Sequence, residues 1–220
     1  MIGSVAALEN DRLLGQTAFD PQLRSAQSFA PAMAQQLAAV AWRPQDVELV
    51  AVTVGPGSFT GLRVGVTAAK TFAYATGAQV LGVNTLHVIA AQAPGDWQQI
   101  HVVLDAQRQQ LFAAAYARQG ERLDEVAATR IADHGPWLDA LVPGTTVTGA
   151  GLTRLRERLP AGVVVVDERC WAPQATTVGR LAHLEYRSGK RDDLWKLVPR
   201  YYRKSAAEEK FEHTAGGPER

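Results

Sequence analysis

The spacing of apolar residues divides the chain into short strands and helices. Alternating or continuous apolar runs predict strands, whereas apolar residues three or four apart predict helices. The stretch 4–19, "SVAALENDRLLGQTAF", predicts a β-hairpin with its turn at residues 9–11. A helix over about residues 25–42, with Pro31 in its first turn, and a buried strand in "VELVAVTVG" are predicted next.

The same pattern continues to the end of the chain. A helix over residues 62–76, the strand "QVLGVN" and a helix over 85–92 complete the first half, and "APGDWQQ" has the composition of a linker. The second half begins with the strands "IHVVLDA" and "QLFAAAYAR", joined by a tight turn at 107–109, and a third strand over 126–131. It continues with a helix over 135–141, the strand "TTVTGA", the helix "LTRLRERL", the strand "GVVVVDE" and the helix "TTVGRLAHLEYRSG".

Both halves therefore begin with consecutive strands and continue with alternating strands and helices. This order predicts two α/β lobes with mixed sheets, over residues 1–95 and 96–211, followed by a flexible polar tail at 212–220. The segments "VTVGPGSFTGL" and "TVTGAGLTRL" each contain a strand, a Gly-x-Gly turn and a helix start. Together with the common order of elements, this similarity between the two halves indicates a duplicated fold.

Composition limits the classes of function. Hydrophobic residues make up 46% of the chain and charged residues 20%, which is typical of a soluble globular protein. The net charge of +1 provides no overall attraction to nucleic acid or to an anionic membrane, so any RNA contact must be local. Cys170 is the single cysteine, and no apolar run approaches the ~20 residues that span a bilayer. A cytoplasmic protein without membrane contact is expected.

A glycine-rich corner follows the third predicted strand and consists of Gly55, Pro56, Gly57, Ser58, Phe59, Thr60 and Gly61. Backbone N–H groups at the start of the next helix, with Arg63 nearby, could bind an anion there. However, the phosphate-loop spacing GxxxxGK[ST] and the dinucleotide spacing GxGxxG both fail at Thr60. A tight turn from strand to helix, capped by Ser58 or Thr60, is the simpler interpretation.

Other catalytic chemistry has little support. A nucleophile elbow, GxSxG, would need glycine at Pro56 and Thr60, on either side of Ser58. The histidines have neither HxxxH nor HExxH spacing, so the sequence predicts no metal site and no catalytic residue. Asp105 ends an apolar strand, where it is either an acid at the strand's carboxyl end or the cap of the following turn.

The first helix is free of charged residues throughout positions 25–42. Phe29, Met33, Leu37 and Val40 form the apolar stripe that is expected to face a sheet. Alanines dominate the other faces, although a helix exposed to water normally carries Lys and Glu there. We therefore expect another polypeptide to cover this helix.

The second helix is similarly poor in charge. Arg63 and Lys70 share its outer stripe with Thr67 and Tyr74, and its small residues would allow another helix to approach closely. The two helices could cover each other within one molecule, but this arrangement would hide only one side of each. The predicted partner-binding set is Phe29, Ala30, Met33, Ala34, Leu37, Ala38, Arg63, Thr67, Ala68, Lys70, Thr71 and Tyr74.

Three stretches of the sequence are similar to those of a known family. The segments "VTVGPGSFTGLRVGVTAAKTFAYATGAQVLGVNTL", "VLDAQRQQLFAAAY" and "VPRYYRKSAAE" together resemble the TsaB family, formerly called YeaZ, and the match runs through nearly the whole chain. These proteins are bacterial accessory subunits of the complex that makes N6-threonylcarbamoyladenosine at position 37 of certain tRNAs. The resemblance implies the actin-like ATPase superfold, with two ribonuclease-H-like lobes.

The resemblance also implies partners. Members of the family bind the catalytic subunit TsaD through the first two helices of the N-terminal lobe, and the ATPase TsaE joins them. Contact with tRNA is then expected only within the complex, and no ATP binding by this chain alone is expected. The catalytic relative carries histidines in HxxxH spacing, which this chain lacks, so a non-catalytic scaffold is expected. These residues give no support to the peptidase activity once ascribed to the superfamily.

The sequence departs from the family pattern in two places. Family members begin with a strand of the kind "ILAIDTS", whereas this sequence starts at the equivalent of "GSVAAL". The first strand of the N-terminal lobe is therefore expected to be missing, through either a misassigned start or a shortened protein, and the first sheet should have a gap. Ser25 and Ala26 stand where many members have His-Ser, so no role of that histidine is transferred.

Three functions remain open from the sequence. The favoured one is a scaffold subunit that docks on a homologous catalytic partner acting on tRNA. The second is a nucleotide-dependent phosphotransferase or ATPase that uses the glycine corner. The third is a homodimer that forms through the same two helices.

Overall fold

The structure is a computed structural model that describes residues 3–20, 22, 25–120 and 122–203. Within those ranges the elements are, in chain order, β1 (Ser4–Glu9), β2 (Arg12–Ala18), α1 (Ser25–Ala39), β3 (Leu49–Gly55), α2 (Phe59–Thr76), β4 (Gln79–Asn84), α3 (Thr85–Ala91), β5 (Gln99–Asp105), β6 (Gln110–Gln119), β7 (Arg122–Asp133), α4 (His134–Asp139), β8 (Thr146–Thr148), β9 (Val164–Val165) and α5 (Ala175–Arg187). Short 3₁₀ turns lie at Pro44–Asp46, Ala150–Arg154, Arg156–Arg158 and Glu168–Cys170. The predicted flexible tail lies outside the described residues.

The second half of the chain builds a continuous five-stranded sheet in the order β7-β6-β5-β8-β9. Strand β6 is antiparallel to both β5 and β7, while β8 is parallel to both β5 and β9. The central strand β5 contributes Ile100, Val102 and Val103, which have no exposed surface, to the cores on the two faces of the sheet. Burial on both faces explains why this strand is a nearly continuous apolar run.

The first half of the chain builds two separate pairs of strands instead of one sheet. Strands β1 and β2 form an antiparallel hairpin, and β3 and β4 form a parallel pair. No ladder of hydrogen bonds joins the two pairs within the described ranges. The prediction that the first sheet has a gap is therefore confirmed.

Helices cover both faces of these strand pairs. Helix α1 contacts β1 and β2, and α2 packs on β3 and β4. On the opposite face, α5 contacts β1, β3 and β4, with Val178 and Ala182 buried against Leu81 and Val83. Helix α3 lies between the two halves, because it contacts β3 and β4 as well as β5 and β6. The predicted mixed α/β fold is confirmed, while the division into lobes at residue 95 stays a prediction.

Several predicted boundaries are wrong. The predicted helix "LTRLRERL" is a pair of 3₁₀ turns in which Leu152 and Leu155 are both fully buried, and a spacing of three residues matches the period of a 3₁₀ helix. The predicted strand "GVVVVDE" retains only Val164–Val165, whereas the predicted strand over 126–131 extends to Arg122–Asp133. Pro31 lies well inside α1 rather than in its first turn.

Candidate partner-binding face

The glycine corner forms the turn between β3 and α2. The backbone N–H of Gly61 donates to the Ser58 hydroxyl oxygen at 3.3 Å, which caps the helix, so the prediction of a capped tight turn is confirmed. Gly55 has a φ of 124°, and a Cβ there would lie 2.6 Å from the carbonyl oxygen of Arg200. Within the corner, Gly55 and Pro56 are buried, Gly57, Phe59 and Gly61 are half-buried, and Ser58 and Thr60 are exposed.

The C-terminal segment, residues 192–203, is hydrogen-bonded to the strand end before the glycine corner and to α2. The N–H of Arg200 donates to the carbonyl oxygen of Val54 at 2.7 Å. The Lys70 ammonium donates to the carbonyl oxygens of Trp195, at 3.2 Å, and Leu197, at 3.0 Å. The lysine of the predicted outer stripe therefore binds the chain's own backbone.

Aromatic contacts add to this attachment. Phe59 stacks on Tyr201 with ring centroids 4.3 Å apart, and the Arg63 guanidinium lies 4.1 Å above the Phe59 ring. Arg63 also donates from Nε to the Tyr201 hydroxyl at 3.0 Å. Tyr74 meets Trp195 edge-on, and these two side chains keep 69% and 72% of their surface exposed. Sequence reasoning missed this segment, although "DDLWKLVPRYYR" combines apolar and aromatic residues in a way that a solvated tail does not.

Helix α1 meets the β1–β2 hairpin through a different stripe from the predicted one. Ser28, Ala32 and Gln36 are its buried residues, and the Gln36 side-chain oxygen accepts a hydrogen bond from the Thr17 hydroxyl at 3.0 Å. Phe29, Met33 and Leu37 are only half-buried. Phe29, Met33 and Leu37 line a cavity between β1 and β3, so their predicted role as the stripe that faces a sheet stays a prediction.

The outward side of α1 is exposed and uncharged. Six of its exposed residues define what we call the α1 outer face: Ala30, Pro31, Ala34, Gln35, Ala38 and Ala39; Gln27, in the first turn, is exposed as well. On the neighbouring α2, Arg63, Thr67, Thr71 and Tyr74 are exposed, while Ala68 and Lys70 are half-buried. The two helices contact each other without covering these residues. The assignment of the set to a partner interface stays a prediction.

Three side chains that could act as acids or bases, Asp105, His87 and Tyr116, have structural contacts within the fold. The Asp105 carboxylate accepts the backbone N–H of Gln107 at 2.8 Å and lies 3.5 Å from Arg154, so it caps the turn after β5. His87 stacks on Tyr116, with ring centroids 5.3 Å apart. Burial lowers the pKa of His87 and raises the pKa of Tyr116, so both side chains are held in their neutral forms.

No group of three His, Cys, Asp or Glu side chains in the described parts of the chain is arranged to hold a metal ion. None of the helices there combines the length and the apolar character that a membrane span requires.

The fold defines a class of protein: a mixed α/β protein of the actin-like ATPase type, in which strands first pair antiparallel and then parallel. The family profile of TsaD, described as tRNA N6-adenosine threonylcarbamoyltransferase, matches residues 22–155, which is more than half of the chain. The chain therefore belongs to this family.

Individual relatives agree with this placement and confirm the resemblance predicted from the sequence. The tRNA threonylcarbamoyladenosine biosynthesis protein TsaB of Bacillus subtilis is 34% identical over 98 residues, which cover 44% of this chain and 43% of that protein. An uncharacterized protein of Mycobacterium tuberculosis is 36% identical over 125 residues, which cover 57% of this chain and 55% of that protein. The chain spans about half the length of the curated relatives it matches.

Solved structures show the same fold over most of both chains. A Pseudomonas aeruginosa protein described as similar to peptidase YeaZ superposes with a TM-score of 0.76 at 24% identity, over 91% of this chain and 94% of that chain. YeaZ from the same organism superposes with a TM-score of 0.75 at 21% identity, over 90% and 93%. At these identities the likeness concerns the fold.

Proposed function

We propose that this chain is a non-catalytic scaffold subunit of the machinery that makes N6-threonylcarbamoyladenosine at position 37 of tRNA. It binds a TsaD-like catalytic subunit through α1 and α2, and a TsaE-like ATPase joins the complex. tRNA is contacted only within that complex, which places the protein in the cytoplasm. The similarity to the Bacillus subtilis biosynthesis protein and the TsaD family match support the pathway.

The observation that carries the docking proposal is the α1 outer face. Its six residues are exposed, and none of them is charged. An uncharged helix surface of this kind is unusual for a helix that faces only water. A homologous catalytic subunit could cover it with a helix of its own, since alanine side chains allow close approach.

The non-catalytic part of the proposal rests on the glycine corner. The carbonyl oxygen of Arg200 lies 2.6 Å from the position of a Cβ at Gly55, and Lys70 and Arg63 bind the C-terminal segment. The two cations of α2 that could attract a phosphate therefore already have partners within the chain. This favours the scaffold over the alternative, a nucleotide-dependent phosphotransferase or ATPase.

A pull-down with the TsaD-like subunit encoded by the same genome tests the docking proposal. Ala34→Glu and Ala38→Glu place a charge on the α1 outer face and keep good helix propensity, so the fold should be retained. We expect each variant to weaken co-purification at least about tenfold, because an unpaired carboxylate would be buried at the interface. Ala161→Glu is the matched control, since Ala161 is exposed in a loop of the second half of the chain.

The result separates the three open functions. Equal co-purification of the wild type, the two α1 variants and the control would remove the docking proposal. Tight binding of ATP and magnesium by the isolated chain in a calorimetric titration would favour the enzyme instead. A stable dimer that the added catalytic subunit cannot dissociate would favour the homodimer through the same helices.

A further inference from the structure

The C-terminal segment and α2 together form one exposed surface with an aromatic pair at each end. Tyr201 stacks on Phe59 near the start of α2, and Trp195 meets Tyr74 near the end of this helix. Positions 59 and 74 lie about 22 Å apart along the helix axis, given a rise of about 1.5 Å per residue. The chain from Trp195 to Tyr201 spans about 20 Å when it is extended, so the segment runs antiparallel to α2 and nearly straight. We call the surface formed by α2 and residues 194–203 the aromatic ridge.

The aromatic side chains of the ridge remain open to solvent. Trp195 is 72% exposed, whereas Trp97, Trp137 and Trp171 are at most 8% exposed. Tyr201 is exposed as well, although one face of its ring is stacked within the chain. A tryptophan that serves only the packing of a fold is largely buried. The exposed rings of the ridge are therefore available for stacking on a ligand.

The ridge carries basic residues and no acidic ones. Helix α2 and residues 194–203 contain no Asp or Glu, in a chain whose 23 basic and 22 acidic residues nearly balance. Their basic residues are Arg63, Lys70, Lys196, Arg200 and Arg203. Asp193 directly precedes the ridge, and its carboxylate lies 4.0 Å from the ammonium group of Lys196. The net charge of +1 for the whole chain thus includes a local excess of positive charge on this surface.

Two of these cations have neutral partners within the chain. Arg63 donates to the Tyr201 hydroxyl, and Lys70 donates to two backbone carbonyl oxygens. No carboxylate compensates either charge in these contacts, so both residues raise the positive potential of the surface. Lys196 and Arg200 are exposed on the C-terminal segment, so their side chains can contact a phosphate group directly.

Two kinds of ligand use exposed aromatic residues, and the charge of the ridge distinguishes between them. Protein interfaces are enriched in Trp, Tyr and Arg but depleted in Lys. Surfaces that bind single-stranded nucleic acid combine basic side chains, which follow the phosphate backbone, with aromatic rings on which unpaired bases stack. The ridge places Lys196 directly after Trp195, and Arg200 directly before Tyr201. This arrangement matches the second kind of ligand.

We propose that the aromatic ridge binds a short unpaired stretch of RNA, with bases stacked on Trp195 and Tyr201 and phosphates near Lys196 and Arg200. A strand of about four nucleotides or more would reach from one aromatic pair to the other. The choice of RNA rests on the proposed function, whereas stacking and phosphate contact follow from the ridge itself. So few contacts give the isolated chain a Kd of only about 10⁻⁴ M, and the ridge therefore adds to tRNA binding within the complex. None of the four contact residues belongs to the α1 outer face, so RNA and a catalytic subunit can bind together.

Fluorescence anisotropy of the full chain with a labelled RNA tests the proposal. The probe is fluorescein-labelled octauridylate at about 50 mM salt, where phosphate contacts are weakly screened. A blunt RNA duplex of about twelve base pairs and an octaglutamate peptide are the comparison ligands. We expect octauridylate to bind at least about fivefold more tightly than either of them, because only unpaired bases can stack on the exposed rings.

Variants of Trp195 separate stacking from simple apolar contact. Trp195→Phe keeps an aromatic ring, so octauridylate should bind within about threefold of the wild type. Trp195→Leu keeps an apolar side chain without a ring, and binding should weaken at least about tenfold. Leu184→Ala is the control, since it removes an exposed apolar side chain of α5 and should leave binding unchanged.

The salt dependence tests the phosphate contacts. Each phosphate contact with a single strand contributes about 0.7 to the slope of log Kobs against log salt concentration. Arg200→Gln should therefore lower this slope by about 0.7. Arg158→Gln is the matched control, because Arg158 is an exposed arginine in the second half of the chain, and its slope should equal that of the wild type.

Three outcomes would overturn the proposal. Octauridylate that binds no more tightly than the duplex or octaglutamate would show that charge alone attracts it. Equal binding by Trp195→Phe and Trp195→Leu would show that no base stacks on this residue. Loss of co-purification of Trp195→Leu with the TsaD-like subunit would assign the ridge to that subunit. The docking proposal is tested separately, because Ala34→Glu and Ala38→Glu should leave octauridylate binding unchanged, so either proposal can fail without the other.

Discussion

The five-stranded sheet of the second half and the two strand pairs of the first half differ by one joining strand, and the difference shows what a central strand contributes. In the second sheet, β5 has a neighbour on each side, and its apolar side chains are at most 2% exposed. In the first sheet, β3 has a similar apolar sequence but one open edge, and most of it is only half-buried. The burial of an apolar strand thus depends on its neighbouring strands as much as on its own sequence.

The first prediction compares the loss of stability when the same substitution, Leu→Ala, is made in β5 and in β3. Leu104→Ala in β5 removes a side chain that is 2% exposed, so it should lower the free energy of unfolding by about 3 kcal/mol. Leu49→Ala in β3 removes a half-buried side chain that packs against the cluster of Leu81 and Val83, and about 1 kcal/mol is expected. Urea unfolding of both variants measures the difference. Equal losses would show that the first sheet is as well packed as the second.

The second prediction concerns the glycines that follow β3 and β8. A Cβ at Gly149 would collide with the carbonyl oxygen of Val103 in the core strand β5, whereas a Cβ at Gly55 would meet Arg200 in the C-terminal segment. Both glycines have positive φ, so Ala is strained at either position. We expect Gly149→Ala to cost about 2–3 kcal/mol and Gly55→Ala about 1–2 kcal/mol of unfolding free energy.

Gly57→Ala is the matched control for this pair. A Cβ at Gly57 would have its nearest neighbour at 3.9 Å, so a change within about 0.5 kcal/mol is expected from urea unfolding. A cost at Gly55 as small as that at Gly57 would mean that the C-terminal segment does not hold the corner in solution.

The third prediction concerns the attachment of the C-terminal segment to α2. Lys70→Met removes two hydrogen bonds to backbone carbonyl oxygens and should cost about 1 kcal/mol. Chymotrypsin should then cleave after Trp195 or Tyr201 about fivefold faster than in the wild type, because cleavage follows the population of the detached segment. Lys196→Met is the control, since the ammonium group of Lys196 is exposed and lies 4.0 Å from the carboxylate of Asp193. Equal cleavage rates in the two variants would contradict the attachment.

The sequence predicts the elements well where a single local rule decides them. The hairpin β1–β2 and the cap at Ser58 follow from turn residues and capping chemistry, which act within a few positions. The gap in the first sheet was predicted from a family resemblance, and among the described residues β1 and β3 each pair with one other strand.

Long-range packing decides what the sequence could not show. Ser28, Ala32 and Gln36 are buried in α1, and Gln36 accepts a hydrogen bond from the Thr17 hydroxyl of the hairpin. The apolar pattern of α1 does not encode this polar contact. The hydrogen bonds from Lys70 to the backbone carbonyl oxygens of Trp195 and Leu197 join residues more than 120 positions apart. Consequently, Lys70, which the sequence predicts to lie on the outer stripe of α2, also helps to hold the C-terminal segment on this helix.

The last prediction is the smallest and tests α3, the helix between the two sheets. His87 on α3 stacks on Tyr116 of β6, and its Nε2 atom is buried with no hydrogen-bond partner among the described residues. Burial lowers its pKa; Glu185 and Glu125 oppose this shift, and Lys190 adds to it. Because the folded pKa lies below the unfolded value of about 6.5, the stabilisation is present above that pH and is lost as the pH falls below it.

The His87→Phe variant isolates this contribution, because it keeps an aromatic ring on Tyr116 but cannot take up a proton. His101 is half-buried and its pKa is also lowered by burial, so the wild type should lose stability from both histidines between pH 7.5 and 5.5. Urea unfolding at the two pH values should show a smaller loss in the variant, by no more than about 1.4 kcal/mol over the whole interval. Parallel pH dependences would mean that His87 is equally solvated in the folded and unfolded states, and the contact between α3 and the second sheet would then be open to water.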